Sequence, residues 1–253
     1  MAEVALKKLA AYLDEYLRVS EVPDYSGAHN GLQLEGREKI AKVAAAVDAS
    51  RATIEKAVEL EADLLIVHHG LFWSGVQKFT GPVFKKLKPA FEHGLAIYSS
   101  HLPLDAHEEV GNNHELARAL GLSITGPFGT YEDFPIGLEC SADLPRSELM
   151  QRLDTILDSP SNLLECGPLR VRRIGVVTGG GGSLVEEAGR TGLDTLITGE
   201  GAHHTFLSAE DYGVNVFYSG HYATETFGVR ALAQHLNEKF DLSWEFIDHP
   251  SGL

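Results

Sequence analysis

Short apolar runs alternate with amphipathic stretches along most of this 253-residue chain. In the first half, three runs are rich in aliphatic residues and short enough to be buried strands: KVAAAVDAS (42–50), DLLIVHHG (63–70) and LAIYSSH (95–101). RATIEKAVELEA (51–62) instead spaces its apolar residues for one face of a helix. The alternation recurs in the second half, in RRIGVVTGG (172–180), SLVEEAGRTG (183–192), DTLITGEG (194–201) and VNVFYSGH (214–221). This pattern predicts an α/β (α+β) fold with open sheets.

The two halves of the chain also match each other. Residues 42–70 can be laid on residues 173–201 without a gap, and YSSH (98–101) then meets YSGH (218–221) after a shorter connection. Order, spacing and element type agree, which indicates a diverged internal duplication. We therefore predict two similar subdomains related by pseudo-twofold symmetry, with a boundary in a stretch rich in turn residues. Their predicted bounds are residues 1–125 and residues 126–253.

Composition narrows the class of protein. The net charge of −15 disfavours nucleic acid as a partner, because affinity for a phosphate backbone comes from Lys and Arg. No apolar run approaches the roughly 20 residues needed to cross a bilayer. The leucines near the N-terminus recur at helical spacing and predict an amphipathic helix rather than a signal peptide. Cys140 and Cys166 lack the spacing of a thiolate zinc site and fit a reducing compartment. These features predict a soluble, cytoplasmic protein without a membrane partner.

Candidate metal ligands follow the strands in both halves. His68 and His69 end an apolar run, where two neighbours can reach two ions a few ångströms apart. HLPLD (101–105) and HYATE (221–225) occupy matching places, and each has a His four residues before a carboxylate. On a helix, such a pair lies on one face and can converge on one ion. Taken singly, these residues can also be polar strand caps or a hydrogen-bonded surface pair. Their symmetric placement favours a dinuclear site, with zinc, iron(II) or manganese.

A run of four glycines offers a second kind of site. TGGGGSLVEEA (178–188) follows a predicted strand and opens a predicted helix, so its backbone amides could hold a phosphate. A tight turn with Ser183 as the helix N-cap is the alternative. Both interpretations stay open from the sequence.

Several motifs occur in an order that resembles a known family. They are NGLQLEG (30–36), VHHGLFW (67–73), HLPLDAH (101–107), GNN (111–113), TGEGAHH (198–204) and GHYATE (220–225). Together they resemble the NGG-interacting-factor-like family of dinuclear-metal proteins, whose bacterial members are labelled GTP cyclohydrolase I type 2 homologues. The resemblance covers nearly the whole chain. It implies two related α/β subdomains, a dimetal site in the cleft between them and a toroidal homohexamer.

The resemblance also implies roles for single residues. Two divalent ions per subunit would be held by His68, His69, Asp105, His221 and Glu225. The internal repeat places His101 and Glu200 toward the same cleft, either to move protons or to orient a metal-bound His through a hydrogen bond.

The function predicted from the sequence is that of a metal-dependent hydrolase. Its expected substrate is a purine nucleotide or a pterin-like compound, attacked by a metal-activated water. Two alternatives remain open. One is a metal-stabilised scaffold or regulatory protein without turnover, and the other is a dimetal phosphoesterase acting on modified nucleotides.

Overall fold

The computed structural model describes residues 2–252 and shows a mixed α/β protein, as the apolar pattern predicted. The strands are β1 (Val4–Ala5), β2 (Gly31–Leu34), β3 (Lys39–Ile40), β4 (Lys42–Asp48), β5 (Leu64–His69), β6 (Ala96–Ser99), β7 (Ser123–Tyr131), β8 (Phe134–Pro145), β9 (Asn162–Leu164), β10 (Arg170–Val177), β11 (Thr195–Thr198), β12 (Asn215–Tyr218) and β13 (Ser243–Phe246). The helices are α1 (Leu6–Tyr16), α2 (Arg51–Glu59), α3 (Gly81–His93), α4 (Leu102–Asp105), α5 (Asn112–Ala119), α6 (Arg146–Leu157), α7 (Val185–Arg190), α8 (Thr205–Tyr212), α9 (His221–Thr224) and α10 (Thr226–Phe240). None of the helices in the described part of the chain has the length and apolarity to cross a membrane.

The chain divides into two units whose bounds differ from residues 1–125 and 126–253. The first unit combines Met1–Val110 with Gly228–His249, and the second combines Gly111–Phe227 with Pro250–Leu253. The C-terminal segment joins the first unit because β13 pairs in parallel with β4. Leucines of α10 are also buried in the first unit's core.

The first unit is built on a five-stranded sheet in the order β13-β4-β5-β6-β2. Strands β4, β5 and β6 are parallel neighbours and almost entirely buried, as expected of strands covered on both faces. Helices α1 and α10 pack on one face through leucines such as Leu9, Leu13 and Leu232. Helices α2 and α3 cover the other face through Ile54 and Ala90.

The second unit is built on a six-stranded sheet in the order β7-β8-β10-β11-β12-β9. Strands β10, β11 and β12 are parallel, and the remaining neighbours are antiparallel. Helices α5 and α6 bury Leu116, Leu149 and Leu153 against one face. Val185 of α7 and Ala209 of α8 lie in the core on the other face.

Parallel strands bring polar residues to one edge of each sheet. In the first unit, β5 ends at His69, and β6 ends at Ser99 just before α4. In the second unit, β11 and β12 end just before Gly199 and Ser219. Ligand sites of parallel sheets lie at the carboxyl ends of strands. The candidate metal ligands of each unit occupy that position.

Candidate metal centre

His68 is held by its neighbour strand and presents one ring nitrogen to a carboxylate. Its side chain is fully buried, and its Nδ1 lies 2.9 Å from the carbonyl oxygen of Ser100. Since a carbonyl only accepts, Nδ1 carries the hydrogen, and Nε2 is the nitrogen left for a metal. Nε2 lies 3.5 Å from Oδ2 of Asp105, which is itself buried. Two ligands of one tetrahedral ion with bonds near 2.1 Å are about 3.4 Å apart, so this spacing fits a shared ion.

His69 and His101 are oriented in the same way, each by a carboxylate. Nδ1 of His69 lies 2.9 Å from Oδ1 of Asp48, and Nδ1 of His101 lies 2.7 Å from Oδ1 of Asp24. A carboxylate that accepts from Nδ1 fixes the tautomer and leaves Nε2 to bind a metal. Both histidines are thus arranged like ligands rather than like polar caps on a strand.

Three histidines of the first unit form one group. One ring nitrogen of each of His68, His69 and His101 lies within 4.8 Å of the others, so together they could hold a metal ion. The ring of Trp73 meets those of His69 and His101 edge-on, with centroid distances of 5.7 and 4.7 Å. His101, predicted from the sequence to move protons or to orient a metal-bound His, is therefore also placed as a candidate ligand.

Asp24 is the anchor of His101. The carboxylate is buried and also accepts from Nδ2 of Asn30 at 2.8 Å and from the backbone amide of Leu102 at 2.9 Å. Burial alone would raise the pKa of Asp24, but the hydrogen bonds from His101, Asn30 and the Leu102 amide outweigh it and lower the pKa. Asp24 is therefore ionised near neutral pH and keeps the His101 ring in place.

The second unit holds the remaining predicted ligands. Nε2 of His221 lies 3.1 Å from Oε1 of Glu225, and Nδ1 lies 2.9 Å from Oε1 of Glu200. Glu225 is buried, with 2% of its surface exposed, whereas the side chain of Glu200 is half exposed. The predicted pair four residues apart is therefore formed, and Glu200 contacts the same imidazole. Glu200 holds His221 as Asp48 holds His69.

The charge on His221 depends on these two carboxylates. Burial alone would lower the pKa of His221, but the carboxylates of Glu225 and Glu200 together raise it to about 9. In the metal-free protein the imidazolium therefore balances the buried Glu225 carboxylate. A divalent cation would take over that role on displacing the proton.

A break in the helix gives Glu225 its position. The sequence predicts one helix starting near residues 219–220, but the structure has α9 and α10 separated at Glu225, with φ −100° and ψ 4°. Thr224 stabilises the break, because its hydroxyl bonds the carbonyl of Gly220 and accepts from the amide of Gly179. The interruption turns the carboxylate inward next to His221.

The glycine run serves the second unit by allowing close packing. A Cβ on Gly179, whose φ is +64°, would lie 2.1 Å from Oε1 of Glu225. A Cβ on Gly181 would lie 2.7 Å from Val177, and one on Gly182 would lie 2.5 Å from Gly201. Residues Gly181–Leu184 form a 3-10 turn without a side-chain cap. Of the two interpretations of this run, the structure favours the tight turn, but Ser183 lies within it and does not act as an N-cap.

The sequence alone did not predict the carboxylates of the first unit that hold His101 and His69. Asp24 lies 77 residues from His101, and Asp48 lies 21 residues from His69. Neither belongs to a motif with local spacing. The one available signal was Asp48 at the end of a predicted strand beside the strand of His69.

Comparison with known proteins places the chain in a family. A family model described as Duf34/NIF3 (NGG1p interacting factor 3) matches residues 4–251. A Pyrococcus horikoshii protein named GTP cyclohydrolase 1 type 2 homolog is 45% identical, with 97% of this chain and 98% of that protein covered. A Deinococcus radiodurans protein of the same name is 42% identical, with 99% and 95% covered. The crystal structure of a Thermus thermophilus protein has a TM-score of 0.92 at 40% identity, covering 99% of this chain and 100% of that one. The chain therefore belongs to the Duf34/NIF3 family.

Proposed function

We propose that this protein is a dinuclear-metal-dependent hydrolase acting on a purine nucleotide or a pterin-like substrate. The observation that carries the proposal is the common orientation of His68, His69 and His101. Each has Nδ1 engaged by a carbonyl or a carboxylate, which is how proteins present Nε2 to a metal. The names of the relatives support the type of substrate.

The proposed ligands comprise one set of residues in each unit, with two divalent ions per subunit. The proposed ligand residues are His68, His69, Asp105, His221 and Glu225. Their donors are imidazole nitrogen and carboxylate oxygen, without a thiolate, which suits zinc, iron(II) or manganese. We propose that both sets of ligands belong to one dinuclear centre.

The residues around these ligands are suited to hydrolysis. A bound divalent ion supplies a water whose pKa falls toward 7. His101, held by Asp24, can exchange a proton with water through Nε2, and the exposed part of Glu200 can accept one. In a cyclohydrolase reaction, one water adds at C8 of guanine and opens the five-membered ring to a formamide. A second water then releases formate.

The test is turnover by the metal-loaded protein on GTP and a panel of nucleotides and pterins. We expect metal-dependent product formation that Asp105→Asn reduces by at least about 100-fold, because a ligand carboxylate is lost. Asp211→Asn, at an exposed position on α8, is the control and should keep full activity. Absence of turnover on the whole panel, with a large fall in melting temperature on chelation, would support the metal-stabilised scaffold instead.

The dimetal phosphoesterase alternative is distinguished by its products. Release of inorganic phosphate or a nucleoside from modified nucleotides, without formate, would identify it. The same Asp105→Asn variant should abolish that activity too, since both reactions would use the same ligands.

We also propose that the protein is cytoplasmic and forms a homohexamer. The location is supported by two free cysteines, of which Cys140 is buried. Assembly is supported by the family resemblance and by exposed aromatic residues on α3, where Phe84 and Phe91 are 52% and 60% exposed.

A further inference from the structure

A cavity of about 580 Å³ lies in the first unit, beside the histidines. It is formed by the loop after β5, the start of α2 and the first turns of α3. Its lining includes Arg51, Gly70, Trp73, Lys85 and Lys86. The volume is within the range of sites for small molecules, roughly 300–1,000 Å³.

The charge of this cavity is opposite to that of the protein. The chain has a net charge of −15, yet three of the lining residues are cationic. None of the described residues that line the cavity is acidic. Such a concentration of one sign in a concave surface attracts ligands of the other sign.

The cationic side chains of the cavity form few ion pairs with carboxylates of the protein. Lys85 and Lys86 form no ion pair with any residue in the range 2–252, whereas Lys88, two residues on, pairs with Glu92 at 3.5 Å. Arg51 uses Nε to bind Glu55 at 2.7 Å, which leaves its terminal nitrogens available to a ligand. Lys86 is half buried, and this burial lowers its pKa despite the charge of Asp48. An anion in the cavity would restore the interactions that the ammonium loses on leaving water.

The cavity is contiguous with the candidate metal ligands. Gly70 directly follows His69, and Trp73 lies edge-on to the rings of His69 and His101. Gln33 holds this turn, because its Oε1 accepts from the amide of Leu71 at 2.6 Å. A Cβ on Gly70 would collide with the Gln33 side chain at 2.4 Å, so the backbone is fixed close to it. A ligand in the cavity is therefore beside a rigid wall that ends in metal ligands.

We propose that this cavity binds the phosphate groups of the substrate, with Arg51, Lys85 and Lys86 as the phosphate-binding residues. Arg can bind a phosphate through two parallel hydrogen bonds, and Lys binds it as a point charge. The inference rests on the proposed function for the chemistry performed at the metal ligands. It selects a phosphorylated nucleotide over a free base or an uncharged pterin.

The experiment measures binding of inorganic tripolyphosphate, GTP and guanosine to the full-length, metal-loaded protein by calorimetry. We expect GTP and tripolyphosphate to bind and guanosine to bind at least about tenfold more weakly. A parallel sample treated with chelator should still bind tripolyphosphate, and rising salt should weaken this binding. Loss of tripolyphosphate binding on chelation would assign the phosphates to the metals and overturn the inference.

Substitutions locate the binding to the cavity. Lys85→Gln, Lys86→Gln and Arg51→Gln should each weaken tripolyphosphate binding by roughly three- to tenfold, because each removes one charged partner. Lys88→Gln, on the same helix but outside the cavity lining, is the matched control and should bind like the wild type. Equal affinities for the wild type and the three cavity variants would overturn the inference.

Failure of this inference can be told apart from failure of the proposed function. If tripolyphosphate binds as expected but no substrate is hydrolysed, the phosphate-binding role of the cavity is supported and the hydrolase proposal is contradicted. If GTP is hydrolysed with the same KM in Lys86→Gln and the wild type, the hydrolase proposal is supported and the phosphate-binding role of the cavity is contradicted.

Discussion

Gly179 links backbone conformation to the second set of candidate ligands. Gly179→Ala would place a methyl group 2.1 Å from the Glu225 carboxylate at a φ of +64°. The left-handed backbone adds a cost of about 1–2 kcal/mol for a residue with a side chain. We expect the variant to remain folded with a lower melting temperature and to bind divalent metal at least about tenfold more weakly at this set, as measured by calorimetry.

Gly180→Ala is the matched control for this substitution. A Cβ at Gly180 would lie 3.9 Å from its nearest neighbour, Cε1 of His221, which is ordinary contact, and its φ of −86° suits any residue. Metal binding should therefore match that of the wild type. If the two variants bind metal equally well, the close approach at Gly179 has no bearing on the ligands.

The pKa of His221 predicts how the stability of the metal-free protein depends on pH. Its pKa in the folded state is about 9, above the value of 6.5 expected when unfolded. The stabilisation is therefore fully present below pH 6.5 and is lost as the pH rises through about 9. Urea denaturation in chelator should show this loss, at most about 3 kcal/mol. In Glu225→Gln the loss should be much smaller, and equal slopes in both proteins would contradict this origin.

At the scale of residues, sequence predicted side chains with local spacing and missed those that act from a distance. The pair of His221 and Glu225 was found because one helical turn separates them. Asp24 and Asp48 were missed because tertiary folding alone brings them to His101 and His69. The helix break at Glu225 was also missed, because no proline marks it. It depends on hydrogen bonds of Thr224 to residues distant in the chain as well as near ones.

At the scale of the secondary-structure elements, both sheets contain an aspartate that accepts hydrogen bonds from two backbone amides of the neighbouring segment. Oδ2 of Asp63, just before β5, accepts from the backbone amides of Ala41 and Lys42 at 2.9 and 3.1 Å. Oδ2 of Asp194, just before β11, accepts from the amides of Arg172 and Arg173, both at 2.9 Å. These positions match in the alignment of residues 42–70 on 173–201. The correspondence supports the predicted duplication, which stays a prediction.

Removing either carboxylate should weaken the pairing of its two strands. Asp63→Ala leaves two backbone amides and Arg37 without their acceptor, and we expect a loss of about 2–4 kcal/mol in the free energy of unfolding. Asp194→Ala should have a smaller effect, because Asp194 is less buried and its lost contacts can be replaced by water. Urea denaturation of both variants measures this, and an equal or reversed order would contradict the role of burial.

The order and type of the elements were largely predictable, since aliphatic runs and helical spacing recur in the sequence. The packing of the last two elements, α10 and β13, in the first unit was not predictable. The leucines of α10 predict its apolar face, but no local sequence pattern indicates that these leucines pack with α1. Likewise, the parallel pairing of β13 with β4 joins residues about 200 positions apart, beyond the reach of any periodic pattern.

For the whole molecule, Phe84 and Phe91 lead to a prediction about assembly. They are seven residues apart, on one face of α3 and away from the face of Lys86. A homohexamer of 27.5 kDa chains would have a mass of about 165 kDa, as measured by light scattering. Phe84→Glu combined with Phe91→Glu should shift the mass to smaller species, because charges replace apolar contacts.

Leu169→Glu is the control for this prediction. It introduces one glutamate at an apolar residue of the second unit that is 77% exposed. An unchanged mass for the Phe84 and Phe91 variant would exclude this face of α3 from the assembly. A monomeric wild type would overturn the hexamer itself.

The return of the C-terminal segment to the first sheet has a consequence for synthesis on the ribosome. Residues 1–110 emerge first, yet their sheet lacks its edge strand until β13 has been translated. Residues 111–227, which hold the whole sheet of the second unit, are translated before that point and can fold as an inserted body while the first waits. The sheet that carries His68 and His69 is therefore completed after the sheet of the second unit. A stop codon only a few residues before β13 would leave His68, His69 and His101 in the chain and still deprive the sheet of its edge strand.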